Sequence, residues 1–146
     1  MIDIDSAIVG PWVIARTGGT WSPVDSVGIG WRTNGNLTAG VIVDNWNGAS
    51  CAMHVAVEAP VTKEFTRFCF TYVFRQLKAK KVIGLVGSKN EKALRFDRHL
   101  GFKEEYRIAD GHPDGELVIL SLTADKCRWL EKERHYGLEV VSASNS

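Results

Sequence analysis

Two Asn-Gly pairs, Asn34-Gly35 and Asn47-Gly48, each set between apolar stretches, constrain this chain more than any other feature. An Asn-Gly pair supplies the positive φ angles of a type I′ turn, whose twist suits two antiparallel strands. Val27–Arg32, Leu37–Trp46 and Ser50–Val57 therefore read as a three-stranded antiparallel meander. Pro60 closes the third strand, because it has no N–H to give a ladder. Thr62 then fits an N-cap, and Glu64 puts an acid in the first helical turn. Phe65, Phe68, Cys69, Tyr72, Val73 and Leu77 recur at helical spacing and predict an amphipathic helix to about Lys80. Val82–Val86 reads as a short apolar strand. Strand, helix and strand make a crossover, which joins parallel neighbours.

The rest of the chain completes a mixed sheet. Asn90–Leu100 reads as a helix with Ala93, Phe96 and Leu100 inward, and Gly101 fits a left-handed C-cap. Phe102–Ala109 and Glu116–Leu122 read as an antiparallel pair, joined by a loop holding Gly111, Pro113 and Gly115. Thr123 is expected to cap a last helix carrying Cys127, Trp129 and Leu130. Near the N terminus, Pro11 is expected to start a short helix through Arg16, ended by Gly18-Gly19, with Trp12 and Trp21 packed on the sheet. The expected class is α+β with αβα layering: a mainly antiparallel sheet of about six to seven strands, one parallel pair in its middle, flanked by helices. If that parallel pair splays, its carbonyl ends open a slot in which a linear ligand can bond to unpaired backbone.

A length of 146 residues suits one core. We expect a single domain over 1–136 and a flexible tail over 137–146. With 45% hydrophobic and 24% charged residues the chain should be globular rather than disordered. A formal net charge of +1 gives no global reason to bind a polyanion. No apolar run approaches the roughly 20 residues of a membrane helix, so no membrane partner is expected. The start MIDIDSAIVG has acids where a signal peptide carries basic residues, and a cytoplasmic location is expected. Cys51, Cys69 and Cys127 are widely spaced, with no CxxC or Cys/His cluster to hold a metal. They read as reduced thiols, Cys51 and Cys69 in the core.

The segment VIGLVGSKNEKALRFDRHLGF, Val82–Phe102, carries a resemblance. Asn90, two residues, a small residue and then Leu-Gly-Phe, set after a strand and behind an antiparallel meander, resembles the GNAT N-acyltransferases. The following KEEYRIADGHPDGELVILSL is similar to the tail of the family's ribosomal-protein acetyltransferase branch. Met53-His54-Val55 and Cys127-Arg128-Trp129-Leu130 look more closely like small GNAT-like proteins of tailed phages. The resemblance spans about Val27 to Leu130. It implies a GNAT-like fold, acetyl-CoA as co-substrate without a metal, and acetyl transfer to an amine on a protein, a small molecule or a modified nucleobase. For a phage protein the compartment would be the host cytoplasm.

The resemblance also implies roles. The backbone of Met53, Val55 and Val57 would bond to the pantetheine arm of acetyl-CoA. Thr62 and Lys63, at a helix start suited to phosphate, would meet the pyrophosphate. Ser88 and Asn90 would contact the cofactor from the turn after the parallel strand. Lys89, Lys92 or Arg95 would meet the adenine 3′-phosphate. Many members place a tyrosine on the later helix as acid for the leaving thiolate; here that position is Asp97, which is expected at the surface.

Acyl transfer needs a neutral amine, a polarised thioester and a route for one proton. His54 lies on the strand that would face the thioester, and histidine is a residue type suited to act as a base. Glu58 is a second candidate base at the mouth of the slot. Trp21, Trp31 and Trp46 are candidates to wall an acceptor pocket. Lys78 to Lys81, with Lys89, Lys92, Arg95 and Arg98, form a basic cluster, read as a solvated face or a surface for CoA phosphate or nucleic acid. The family's phosphate loop is basic and glycine-rich, whereas this one reads VEAPVTKEF, with Pro60, Glu58 and Glu64. That loop and Asp97 sustain the alternative: a non-catalytic GNAT-fold phage protein, a virion component or a binder of a host protein. The tail with Trp129 and Tyr136 is the candidate contact for a homodimer.

Overall fold

A computed structural model of the protein describes residues 1–130. In chain order come β1 (Ile2–Asp3), α1 (Ser6–Thr17), β2 (Val27–Thr33), β3 (Asn36–Asp44), β4 (Ser50–Val57), α2 (Lys63–Thr71), β5 (Lys81–Gly87), α3 (Glu91–Leu100), β6 (Lys103–His112) and β7 (Gly115–Thr123). The seven strands form one sheet, ordered β1-β2-β3-β4-β5-β7-β6. β4 and β5 run parallel; every other neighbouring pair is antiparallel. The expected mixed sheet with one parallel pair is therefore what the chain forms.

Burial along the strands tells which faces are covered. In β3 the five residues Ala39–Val43 are all buried, which requires cover on both faces. α1 supplies one side, where Val9 and Val13 pack with Ile42 and Ala56. α2 supplies the other, where Phe65, Cys69 and Phe70 join Val41, Val43, Cys51 and Met53 in the main core. β7 instead alternates: Val118, Leu120 and Leu122 are buried under α3, while Leu117, Ile119 and Ser121 are only partly covered. Among the described residues, half of the sheet, β5-β7-β6, thus has no helix on the α1 side. Leu85, Tyr106 and Ile108 are exposed in that half.

α1 lies close to the sheet because glycines make room for it. A Cβ at Gly40 would sit 2.7 Å from Val13 Cγ2, and one at Gly30 2.9 Å from Val9 Cγ2. Trp21 lies over Gly10 of the helix itself, within 2.5 Å of where a Cβ would stand. The helix starts earlier than expected: Asp5 is the N-cap, accepting from Ala7 N at 3.2 Å, and Pro11 lies inside it. Gly18 ends it with φ 80°, as expected.

Other boundaries also move. Asn34 and Gly35 take φ 52° and 84°, as a type I′ turn requires. At the second pair the expectation fails. β3 stops at Asp44, Asn45 and Gly48 take the positive φ angles, and Asn47 Oδ1 accepts from Ala49 N and Ser50 N. The link is a five-residue loop built on an Asx turn rather than a two-residue hairpin. α2 runs into a π-helical turn over Tyr72–Gln76 and stops short of Lys80, because Lys78 turns left-handed at φ 61°. That reversal buries Ala79 and delivers Lys81 to the sheet. The last pair extends further than expected, and its hairpin is only Pro113-Asp114. The expected last helix is a single 3-10 turn, Ala124–Lys126; Thr123 does not cap it and donates instead to Asp125 Oδ1 at 2.6 Å. Tyr136 and the expected tail lie outside the described residues.

Candidate active site

β4 and β5 pair over only three rungs, Ser50 with Lys81, Cys51 with Val82 and Ala52 with Ile83. Beyond Ala52 and Ile83 the two strands carry on without each other, to Val57 and Gly87. Glu58 N donates to Thr38 O at 2.8 Å, so residue 58 bonds toward β3. Backbone groups alternate sides along a strand, and the β3–β4 register is unbroken from Ala39 to Asp44. Residues 52, 54, 56 and 58 therefore bond toward β3. Met53, Val55 and Val57 turn their peptide groups toward β5, into the divergence.

The parallel pair parts beyond its third rung, as the expected slot requires. On the α2–α3 side Met53, Val55, Phe65 and Phe96 line a small cavity of about 20 Å³. At its mouth is a larger cleft of about 600 Å³, between α2, α3 and the segment after β7. Lys63, Arg67, His99 and Arg128 line it, with Phe96 and Trp129 as its aromatic surfaces. Among the described lining residues there is no carboxylate. Arg128 donates to His99 O, and Trp129 Nε1 donates to Leu100 O at 2.8 Å, so α3 fixes the C-terminal wall. The first turn of α2 opens on the same mouth. Thr62 caps it by accepting from Phe65 N at 3.1 Å, which leaves the Lys63 and Glu64 N–H groups facing outward.

The candidate residues separate into those near this divergence and those elsewhere. Lys63 lines the cleft; Arg95 does not and is exposed on α3. Arg67 and Arg128 take the cationic positions, and sequence reasoning missed both. Arg67 follows Lys63 by one helical turn, so helical spacing held the signal for it. Nothing local marked Arg128. Ser88 is tied to β7: its Oγ accepts from Glu116 N at 3.1 Å, and its N–H donates to Glu116 O. Asn90 is the N-cap of α3, accepting from Ala93 N at 3.2 Å. Glu58 accepts from Arg16 Nε at 2.6 Å, and Arg16 also stacks on Trp12, 3.8 Å from the ring centre. The basic cluster is divided, since Lys81 pairs with Glu105 and Arg98 with Glu104, successive residues of β6. The three tryptophans are dispersed as well. Trp21 packs on α1, Trp31 meets Phe65 on the α2 side, and Trp46 stands exposed in the loop after β3.

His54 projects to the face opposite the cleft. Its neighbours Ala52 and Ala56 share that face with α1, while Met53 and Val55 belong to the main core. Its Nε2 lies 2.9 Å from Asp44 Oδ1. Ile83 and Leu85 of β5 continue the same face, because Ile83 is the partner of Ala52. Asp97 lies on the cleft side rather than at the free surface. A Cβ at Gly84, the first residue of β5 past the last rung, would stand 3.0 Å from Asp97 Oδ2. Burial there pushes the Asp97 carboxyl up to about 6. Burial also pushes the Cys51 thiol up to about 11 and raises that of Cys69, so both stay protonated and unreactive near neutrality.

No protein-family model matches the chain, and no curated protein matches it. Solved structures do. Mutant forms of the spermidine/spermine N-acetyltransferase SpeG from Vibrio cholerae superpose with a TM-score of 0.66 at 15% identity, over 86% of this chain and 95% of that one. Campylobacter jejuni N-acetyltransferase PseH, in complex with acetyl coenzyme A, gives 0.55 at 16% identity, over 68% and 69%. A "Probable acetyltransferase" gives 0.60 at 21% identity, over 70% of this chain and 63% of that one, so this chain spans less than two thirds of that protein. Sheet order, the single parallel pair and these superpositions agree: residues 1–130 have the GNAT-like α+β fold of acetyltransferases.

Proposed function

We propose that the protein is an acyl-CoA-dependent N-acyltransferase that moves an acetyl group from acetyl-CoA to an amine. The observation that carries this reading is the divergence of β4 from β5, with the peptide groups of Met53, Val55 and Val57 turned into it and a cationic cleft at its mouth. In this reading Lys63, Arg67 and Arg128 take the phosphates, with the outward N–H groups of the first α2 turn. The acyl arm lies along β4, where a strand N–H polarises the thioester carbonyl. Phe96 and Met53, which line the small cavity beside β4, border the path of the arm. The amine arrives from the opposite face, beside His54, Ile83 and Leu85. Its nitrogen attacks the thioester carbon. The C–N bond forms, the C–S bond breaks, His54 takes the amine proton, and CoA leaves as the thiolate.

The small size of the cavity beside β4 and the proline-bearing loop Glu58–Thr62 favour a second reading. In it the same fold is non-catalytic, a phage virion component or a binder of a host protein, and the cleft holds no cofactor. Calorimetric titration with acetyl-CoA separates the two. The transferase reading expects saturable binding in the micromolar range, and the second expects none at about 1 mM cofactor, weaker than roughly −4 kcal/mol. The amine acceptor, a possible partner subunit and a cytoplasmic setting stand as proposals beside this one. Acetyl-CoA turnover on candidate amines, and sedimentation of the purified chain, test the first two.

A further inference from the structure

We infer that Asp44 is the positioning residue for His54, fixing which of its ring nitrogens is free to receive a proton. The inference rests on the acyl-transfer reading for its chemistry, but not for its geometry. Asp44 ends β3, opposite Ala52, and His54 is opposite Ile42. Both side chains therefore lie on the α1 face, one rung apart, and Asp44 Oδ1 stands 2.9 Å from His54 Nε2. An ionised carboxylate only accepts, so Nε2 carries the hydrogen and Nδ1 keeps its lone pair. Asn45 Nδ2 donates to the same Asp44 oxygen at 3.3 Å and helps to hold it.

The place of the pair matters as much as its contact. Ala52 is the last β4 residue paired to β5, and His54 is the next residue on that face. The ring thus stands where the strands have begun to part, on the side away from the phosphate cleft. A thioester carbon entering from the α2–α3 side and an amine entering from the α1 side meet at this level. The amine proton passes to Nδ1, the C–N bond forms and the C–S bond breaks. The imidazolium that results is stabilised by Asp44 through Nε2–H, without proton transfer to the carboxylate. Among the described residues, few other charges face the ring. β5 offers Ile83 and Leu85; α1 packs on β4 through Val9 and Val13 and its Arg16 is held by Glu58; Cys51 points to the other face; Lys81 is held by Glu105.

The test is Asp44→Asn, a variant of the same shape whose amide can donate to Nε2 and so favour the wrong tautomer. Two measurements are made on the full-length protein. The first is nitrogen-15 NMR of the histidine rings, which reads the tautomer without any substrate. The wild type should show His54 protonated at Nε2, and Asp44→Asn should show loss of that tautomer with an unchanged unfolding temperature. The second is acetyl-CoA turnover with spermidine and with a lysyl peptide, thiol release being the readout. Asp44→Asn should lower kcat on the order of 100-fold with an unaltered KM for acetyl-CoA, the loss expected when a base is misoriented. Asp44→Glu should recover part of it. A wild-type His54 protonated at Nδ1, or an Asp44→Asn enzyme with unaltered kcat, overturns the assignment of Asp44. A wild type that has the Nε2–H tautomer but releases no thiol overturns the acyl-transfer reading, and the catalytic part of this inference falls with it.

Discussion

Asp97 is held with its carboxyl against Gly84, where burial lifts it from the ordinary 3.8 to about 6. The folded chain therefore keeps a proton that the unfolded chain has already lost between those two values. Stability falls as pH rises through that window, and above it the cost stays at about 2–3 kcal/mol. Asp97→Asn should raise the unfolding temperature at pH 7.5 by on the order of 5 °C and change it little at pH 4. Thermal unfolding at the two pH values checks this; equal shifts at both would mean that the carboxylate's desolvation is not the cause. Sequence reasoning placed Asp97 at the surface because an aspartate within a charged helical stretch gives no local sign of burial. Gly84, on the preceding strand β5, makes the niche. Thr62 and Gly101 were legible for the opposite reason. A cap bonds to its own helix, so the residue and its partner lie within a few positions of each other.

At the level of elements, α1 shows how packing overrides a local signal. Pro11 costs a helix interior about 3 kcal/mol, which made it read as a helix start. Val9 and Val13 are wholly buried on either side of it, and each such burial is worth about 2 kcal/mol. Together they offset the proline, provided that the helix can come down onto β2 and β3. Gly30 and Gly40 permit that approach. Gly40→Ala should destabilise the chain by about 1–3 kcal/mol, because its methyl meets Val13 Cγ2 at 2.7 Å with Trp12 and Val9 also close. Urea unfolding measures it; no loss of stability would mean that α1 shifts freely on the sheet. The meander and the crossover were legible because each rests on a run of like residues. The second loop was not, because Asn47 spends its side chain on Ala49 and Ser50 rather than adopting a positive φ.

The whole molecule assembles the cationic cleft from three separate parts of the chain: Lys63 and Arg67 on α2, His99 on α3, and Arg128 after β7. If those cations hold the phosphates of acetyl-CoA, Arg67→Ala and Arg128→Ala should each weaken its binding about tenfold, the worth of one charge-assisted bond. The affinity should also fall as salt is raised, since the cleft is open to solvent. Calorimetry on each variant, at low and high salt, checks both. Unchanged affinity in the two variants would place the phosphates elsewhere, and unchanged affinity in Arg128→Ala alone would confine them to the α2 side.

Sequence alone determined the order of elements from β2 to β7, the antiparallel meander, the crossover that makes β4 and β5 parallel, and the divergence-prone joint between them. These follow from periodicity and from turn residues, which act within a few positions. Tertiary structure decided what lines that joint and what faces it. A two-residue turn at Asn47-Gly48 would have put Asp44 opposite Cys51, on the face away from His54. The five-residue loop shifts the register by one, sets Asp44 opposite Ala52, and brings the carboxylate to the imidazole. A one-residue slip in a sheet exchanges its faces, so the pairing of Asp44 with His54 rests on loop geometry that no pattern of apolar residues records.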